Sequence, residues 1–303
     1  MTGQEQTTAW SARKPGLAAT AYLLSYLVIA VIGGEVVAPL RSPIIAGIVV
    51  TVIGAAVLLV SLLLVLSICR LRMSPGREVI WTVAMLVVFA VVRPAVFAVV
   101  GKWVGHPAAG KRIAEALSVV PGQFLLGNTA LIVWAACLGR LVSRLMREGK
   151  LLLPVAVVAA IADIITVFWG VVAHVSETAP EVVATFSAAA PVAPPPNVSA
   201  PILSAVGIGD FLFLAAFLAV AIRHAMRPVR TMWASFAVML VAPLAYWFFP
   251  SATGMPGLPF IAAAVLWANW RHIEFTSEEK RALVFVGALV LAAAMGLLVV
   301  LRR

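Results

Sequence analysis

Residues 202–222 read ILSAVGIGDFLFLAAFLAVAI. One charge, Asp210, stands in a run of 21 mostly apolar residues. A helix of that length covers roughly 30 Å, the thickness of the hydrocarbon core of a bilayer. The stretch before it, 151–175, reads LLLPVAVVAAIADIITVFWGVVAHV and likewise holds one acid, Asp163. Working outward, apolar segments recur at about 16–38, 43–69, 78–101, 116–139, 151–175, 202–222, 231–249, 257–272 and 282–301. They lack the two-residue alternation of barrel strands, so the spacing predicts helices. The chain is 63% hydrophobic and 11% charged, with a mean hydropathy of +1.08. Soluble domains are roughly 45–50% apolar and about 25% charged. A water-soluble enzyme is excluded, and so is a disordered chain, which would be poor in apolar residues. The expected fold is an all-α polytopic bundle of about nine membrane segments. Residues 1–150 form a four-helix scaffold, and residues 151–303 form a half that holds both aspartates.

The net charge of +10 would suggest nucleic acid as a partner for a soluble protein. Here the basic residues sit in short loops between apolar runs, where they set orientation instead. Counting alternate loops places fifteen Lys and Arg on one side and six on the other, with Arg93 inside a segment. This predicts a cytoplasmic N-terminus and an external C-terminus, in the plasma membrane if the source is prokaryotic. The apolar run from Gly16 to about Leu40 is long enough to span, so no cleaved signal peptide is expected. Cys69 and Cys137 read as small core residues, and the four His show no metal-ligand spacing. No metal or organic cofactor is expected. Residues 176–201, with Pro191, Pro194, Pro195 and Pro196, read as a loop or lid.

Ionisable groups inside membrane helices are expensive and point to function. The candidates are Glu35, Arg93, Asp163 and Asp210. Glu35 lies near a segment end, within reach of headgroups. Arg93 precedes Pro94 in mid-segment and reads first as a structural ion pair at a kink. The two aspartates fall at matched depth. With helix ends at His174 and Pro201, Asp163 is roughly 16 Å and Asp210 roughly 14 Å from the same membrane face. Adjacent antiparallel helices would set the carboxyls side by side. Two such groups share a proton, one activating water while the other polarises a carbonyl.

Gly207-Ile208-Gly209-Asp210-Phe211 removes side chains from the approach to the second acid, so a substrate backbone can come close. Helix packing through small residues accounts for the glycines equally well. Downstream, Pro256-Gly257-Leu258-Pro259 interrupts regular helix and frees backbone groups. The uncharged stretch before it is expected to dip into the membrane.

Together, an intramembrane Asp163, a GxGD ending at Asp210 and a PxLP at Pro256–Pro259 resemble the presenilin and signal peptide peptidase family of intramembrane aspartyl proteases. The resemblance covers roughly 155–270. It implies catalytic Asp163 and Asp210, with Gly207, Ile208, Gly209, Pro256, Gly257, Leu258 and Pro259 holding an unwound substrate strand. Ala162 stands where the family has Tyr, and Gly257 where it has Ala, a small change in size. Four segments, not five, precede the first Asp, and one follows the PxLP helix. The connection between the aspartates has no Lys or Arg, which puts it outside, as in signal peptide peptidase. The expected function is endoproteolysis within the transmembrane helices of membrane proteins or signal-peptide remnants, in contact with lipid and without nucleic acid. The rival readings are a non-catalytic homologue that binds transmembrane helices and a proton-coupled transporter. No inverted repeat supports the transporter.

Overall fold

Prolines mark where this chain turns into helix. Proline has no N–H to lose, and its fixed φ suits the first helical position. In the computed structural model, six helices begin on one: α1 (Pro15–Val37), α2 (Pro43–Arg70), α3 (Pro75–Val92), α5 (Pro107–Leu117), α8 (Pro180–Thr185) and α10 (Pro228–Val241). The others are α4 (Ala95–Trp103), α6 (Gln123–Ser143), α7 (Leu152–Phe168), α9 (Ile208–Arg223) and α11 (Leu258–Asn269). Strands β1 (Ser187–Ala189) and β2 (Ala205–Gly207) pair antiparallel, with Ser187 opposite Gly207. The structure describes residues 15–37, 42–117, 123–168, 170, 174–175, 178–189, 205–241 and 255–279, and the single residues 281, 285 and 287.

The chain is a mostly helical membrane protein. Among the described residues, four stretches are long and apolar enough to cross a bilayer: Ile48–Arg70, Pro75–Val92, Leu126–Ser143 and Gly149–Phe168. Gly16–Ile29 and Pro228–Val241 are shorter apolar helices. Several elements differ from the expected segments. The third segment is two helices, because Arg93 precedes Pro94 and a residue before proline is disfavoured in helix. It takes φ −121° and ψ 74° and ends α3. The expected 102–112 loop is largely helical. Its α5 packs closely on α4, where a Cβ on Gly101 would stand 2.8 Å from the Cα of Gly110. Helix α7 ends at Phe168 rather than near His174, and α9 begins at Ile208 rather than near Pro201. All of the segment at 282–301 but residues 285 and 287, and most of the Pro-rich connection, lie outside the described residues, as does the Glu35 side chain.

Helix α9 is the axis of the bundle. Phe211 and every residue from Leu214 to Ala221 are buried. It packs chiefly on α6, and also on α2, α10 and α11. In lipid, helices associate through close packing rather than through hydrophobic transfer, so small residues decide how near they come. Gly139 of α6 is such a point. A Cβ there would collide with the Leu212 carbonyl and stand 2.8 Å from the Ala215 Cβ. The thiol of Cys69 donates to the Ala215 carbonyl on the other flank. Gly139→Val is therefore expected to destabilise the bundle by about 1–3 kcal/mol, as overpacking does. A thiol-reactive fluorophore reporting exposure of buried Cys69 and Cys137 on heating would measure it. Unchanged melting would mean the α6–α9 contact is looser than described.

One end of the bundle is laced by cations. Arg140 donates to Glu78 (2.7 Å), to the Leu71 carbonyl (2.7 Å) and to the Ile68 carbonyl, while Arg144 pairs with the same Glu78. Arg223 donates to the Ser143 carbonyl and hydroxyl at 2.8 and 2.9 Å. These bonds satisfy carbonyls at the C-terminal ends of α2 and α6, where helices leave acceptors unpaired. At the same end Lys150 pairs with Glu148 and Glu279, and its ammonium holds the Glu279 carboxyl below the usual carboxylate range. Arg230 lies 4.3 Å from the Trp267 ring.

Candidate active site

The site begins with the geometry of α11. Residues Gly257 and Leu258 open this helix, and Pro259 follows without an N–H. A helix start leaves backbone donors without partners and carries a partial positive charge. Among the described residues, the Leu258 N–H finds its partner in Asp163, whose Oδ2 accepts it at 2.9 Å. Asp163 lies on α7, and α11 packs along α7.

Asp210 reaches the same place from α9. It sits in the first helical turn, directly after β2 and the Gly207 that caps the helix. Its carboxyl rests against Gly257. A Cβ on that glycine would fall 2.5 Å from Oδ1 and 2.8 Å from Cγ and Oδ2. One residue thus borders Asp210, and the next donates to Asp163. Both carboxyls therefore border one peptide unit.

The arrangement corrects the expected one. Helices α7 and α9 do not meet along an extensive face; α11 packs on both and brings the acids together. The acids lie near the ends of shortened helices, Asp163 five residues before the end of α7 and Asp210 in the first turn of α9, not midway along full-length ones. Their heights can be compared along the helices from the basic end of the bundle. Asp163 is roughly 16 Å beyond Leu152, and Asp210 is roughly 20 Å beyond Arg223. Both are partly buried.

The glycines divide into two kinds. A Cβ at Gly207 would make only an ordinary 3.6 Å contact with Asp210 Oδ2, and one at Gly209 would meet nothing within 4 Å. Their value is open space beside Asp210, where Ile208 is half-exposed. Gly257 is different, because Asp210 occupies the space of its missing side chain. Its exchange with Ala is more than the small change that size suggests. Gly257→Ala is expected to displace the Asp210 carboxyl, at an overpacking cost of about 1–3 kcal/mol. Melting of the purified variant would show it; a wild-type melting point would mean the carboxyl relocates freely. Pro256 and Leu258 are buried and Pro259 is half-buried, so the motif anchors α11 as well as shaping the site.

Two features escape a reading of the residues alone. The two-stranded sheet beside GIGD is one: Ser187-Ala188-Ala189 and Ala205-Val206-Gly207 carry no strand signal in composition. Arg93 is the other. Among the described side chains and carbonyls its partners are neutral oxygens, on three separate residues. The described residues contain no group of three or more His, Cys, Asp or Glu able to hold a metal. Compared with protein-family models, curated proteins and solved structures, the chain finds no match.

Proposed function

We propose that this chain is an intramembrane aspartyl endopeptidase with Asp163 and Asp210 as its catalytic pair. The observation that carries the reading is the meeting of both carboxyls on the Gly257–Leu258 peptide. The acids come from separate helices, and a third helix start locks them together. Such an arrangement suits a pair sharing one proton. The ionised member takes a proton from water as the water oxygen attacks a peptide carbonyl carbon. The protonated member gives its hydrogen to the carbonyl oxygen. Collapse of the tetrahedral diol breaks the C–N bond, and the amine leaves with a proton.

A helical substrate shields its carbonyls, so it must unwind first. The sheet next to Asp210 offers the unwound segment a strand to pair with. The Gly207 and Gly209 positions leave room for its backbone. Asp163, the GxGD ending at Asp210 and the PxLP at Pro256–Pro259, in that order, are what carries the resemblance to presenilin and signal peptide peptidase. The laced basic end fits the cytoplasmic side by the charge rule, which puts the aspartates toward the outer half of the membrane.

A photoreactive transition-state mimic with a hydroxyl in place of the scissile carbonyl tests this reading. Labelling is expected in wild type and lost in Asp163→Asn and Asp210→Asn. Equal labelling of all three would remove the dyad from the binding site.

A further inference from the structure

Building on the protease reading above, we propose that Arg93 is a positioning residue for the dyad. Its guanidinium clamps the backbone that holds the start of α9, and with it Asp210. Arg93 Nη2 donates to the Ala184 carbonyl at 2.8 Å, while Nη1 donates to the Ser187 carbonyl and to Asn128 Oδ1, each at 3.1 Å. Asn128 is fully buried on α6, so the clamp has a fixed base. The side chain runs over Gly127, where a Cβ would stand 3.3 Å from its Cδ. Glycine leaves the passage that the guanidinium needs.

The two backbone acceptors flank the junction between α8 and β1. Helix α8 has six residues, too few to be stable alone. Ala184 lies in its last turn, where carbonyls lack helical partners. The Ser187 carbonyl is free for a reason of ladder geometry. The Phe186 carbonyl accepts the Ile208 N–H at 3.1 Å, so that pair bonds across the sheet. Its neighbours Ser187 and Gly207 then turn their backbone groups outward. Arg93 binds the outward carbonyl of Ser187, and Phe186 holds the first residue of α9. Asp210 follows two residues later. A cation at membrane depth is costly unless its donors find partners. Here its donors satisfy three oxygens at once, which an apolar residue could not do.

Hydrogen–deuterium exchange on the whole protein in nanodiscs, read by mass spectrometry, tests the clamp without depending on activity. Arg93→Met is expected to speed exchange in peptides covering 184–189 and 206–210 about 10-fold, the scale of one charge-assisted hydrogen bond lost. Peptides covering 214–221 should be unchanged. In a cleavage assay kcat should fall while KM holds, because substrate binding is retained and the dyad is misaligned. Arg93→Lys, which keeps the charge but not the fork, should lie between. Wild-type exchange in both segments of Arg93→Met overturns the proposal. If that variant does not fold, Arg93→Lys decides: faster exchange confined to the two segments supports the clamp, and wild-type exchange overturns it. Absence of cleavage by wild type would count against the protease reading alone, leaving exchange to decide the role of Arg93.

Discussion

Asp163→Asn and Asp210→Asn should each abolish cleavage of a transmembrane substrate, by about three orders of magnitude or more. The size follows from the chemistry. An amide can neither take the proton of the attacking water nor give one to the carbonyl oxygen, and members of a catalytic unit fail together. The double variant should be no slower than either single one. Asn is chosen because it keeps the shape of Asp. In Asp163→Asn, the amide oxygen that replaces Oδ2 can still accept from Leu258, so the α7–α11 contact survives. Melting monitored through Cys69 and Cys137 should therefore stay close to wild type. Retention of more than a tenth of the activity in either variant would place the chemistry elsewhere.

The second large effect is on stability. Glu78 is 4% exposed and neutralises two guanidinium groups. Arg140 is almost as buried, whereas Arg144 is about a third exposed. Removing one partner of a buried pair leaves an uncompensated charge, at a cost of about 3–5 kcal/mol. Solvent reaching Arg144 discounts this, so Glu78→Ala is expected to cost about 3 kcal/mol. The loss should lower the melting temperature by roughly 5–10 °C. Glu78→Gln should cost less, since it keeps acceptor geometry on one side. The Cys69 thiol lies close to the lattice of Arg140 bonds and should become reactive early in the transition. An unchanged melting point would mean that the carbonyls of Ile68 and Leu71 suffice to hold Arg140.

Both effects rest on residues whose sequence signals differ in strength. Asp163 and Asp210 stand out because each is a lone charge in an apolar run. Their convergence on Gly257–Leu258 is only implied by resemblance, since nothing in spacing says that α11 lies between α7 and α9. The missing Cβ at Gly257 is legible as flexibility; its occupation by the Asp210 carboxyl depends on tertiary packing. Glu78 looks like an acid at a helix start. Its two cationic partners are more than sixty residues away, a distance no local pattern spans. Arg93 is visible as an anomaly, but its sequence context does not point to the backbone it binds. Its true acceptors include backbone carbonyls, which leave no mark in a side-chain pattern.

Helix starts are the best-marked boundaries, because proline acts through local geometry. Helix ends are harder to read. The apolar run continues past Phe168 to Val175, yet α7 stops there. Apolar residues likewise precede Ile208, but β2 occupies that stretch and the helix begins after it. Hydropathy measures what a segment can cross, and it does not register where pairing with a neighbour replaces helix.

The most direct test is proteolysis by the purified protein in liposomes with tagged single-span substrates, with fragment masses measured. Cuts are expected inside the apolar span of at least one substrate, and their loss in both Asp163→Asn and Asp210→Asn. Fragments cut only outside the span, or unchanged in either variant, would contradict it.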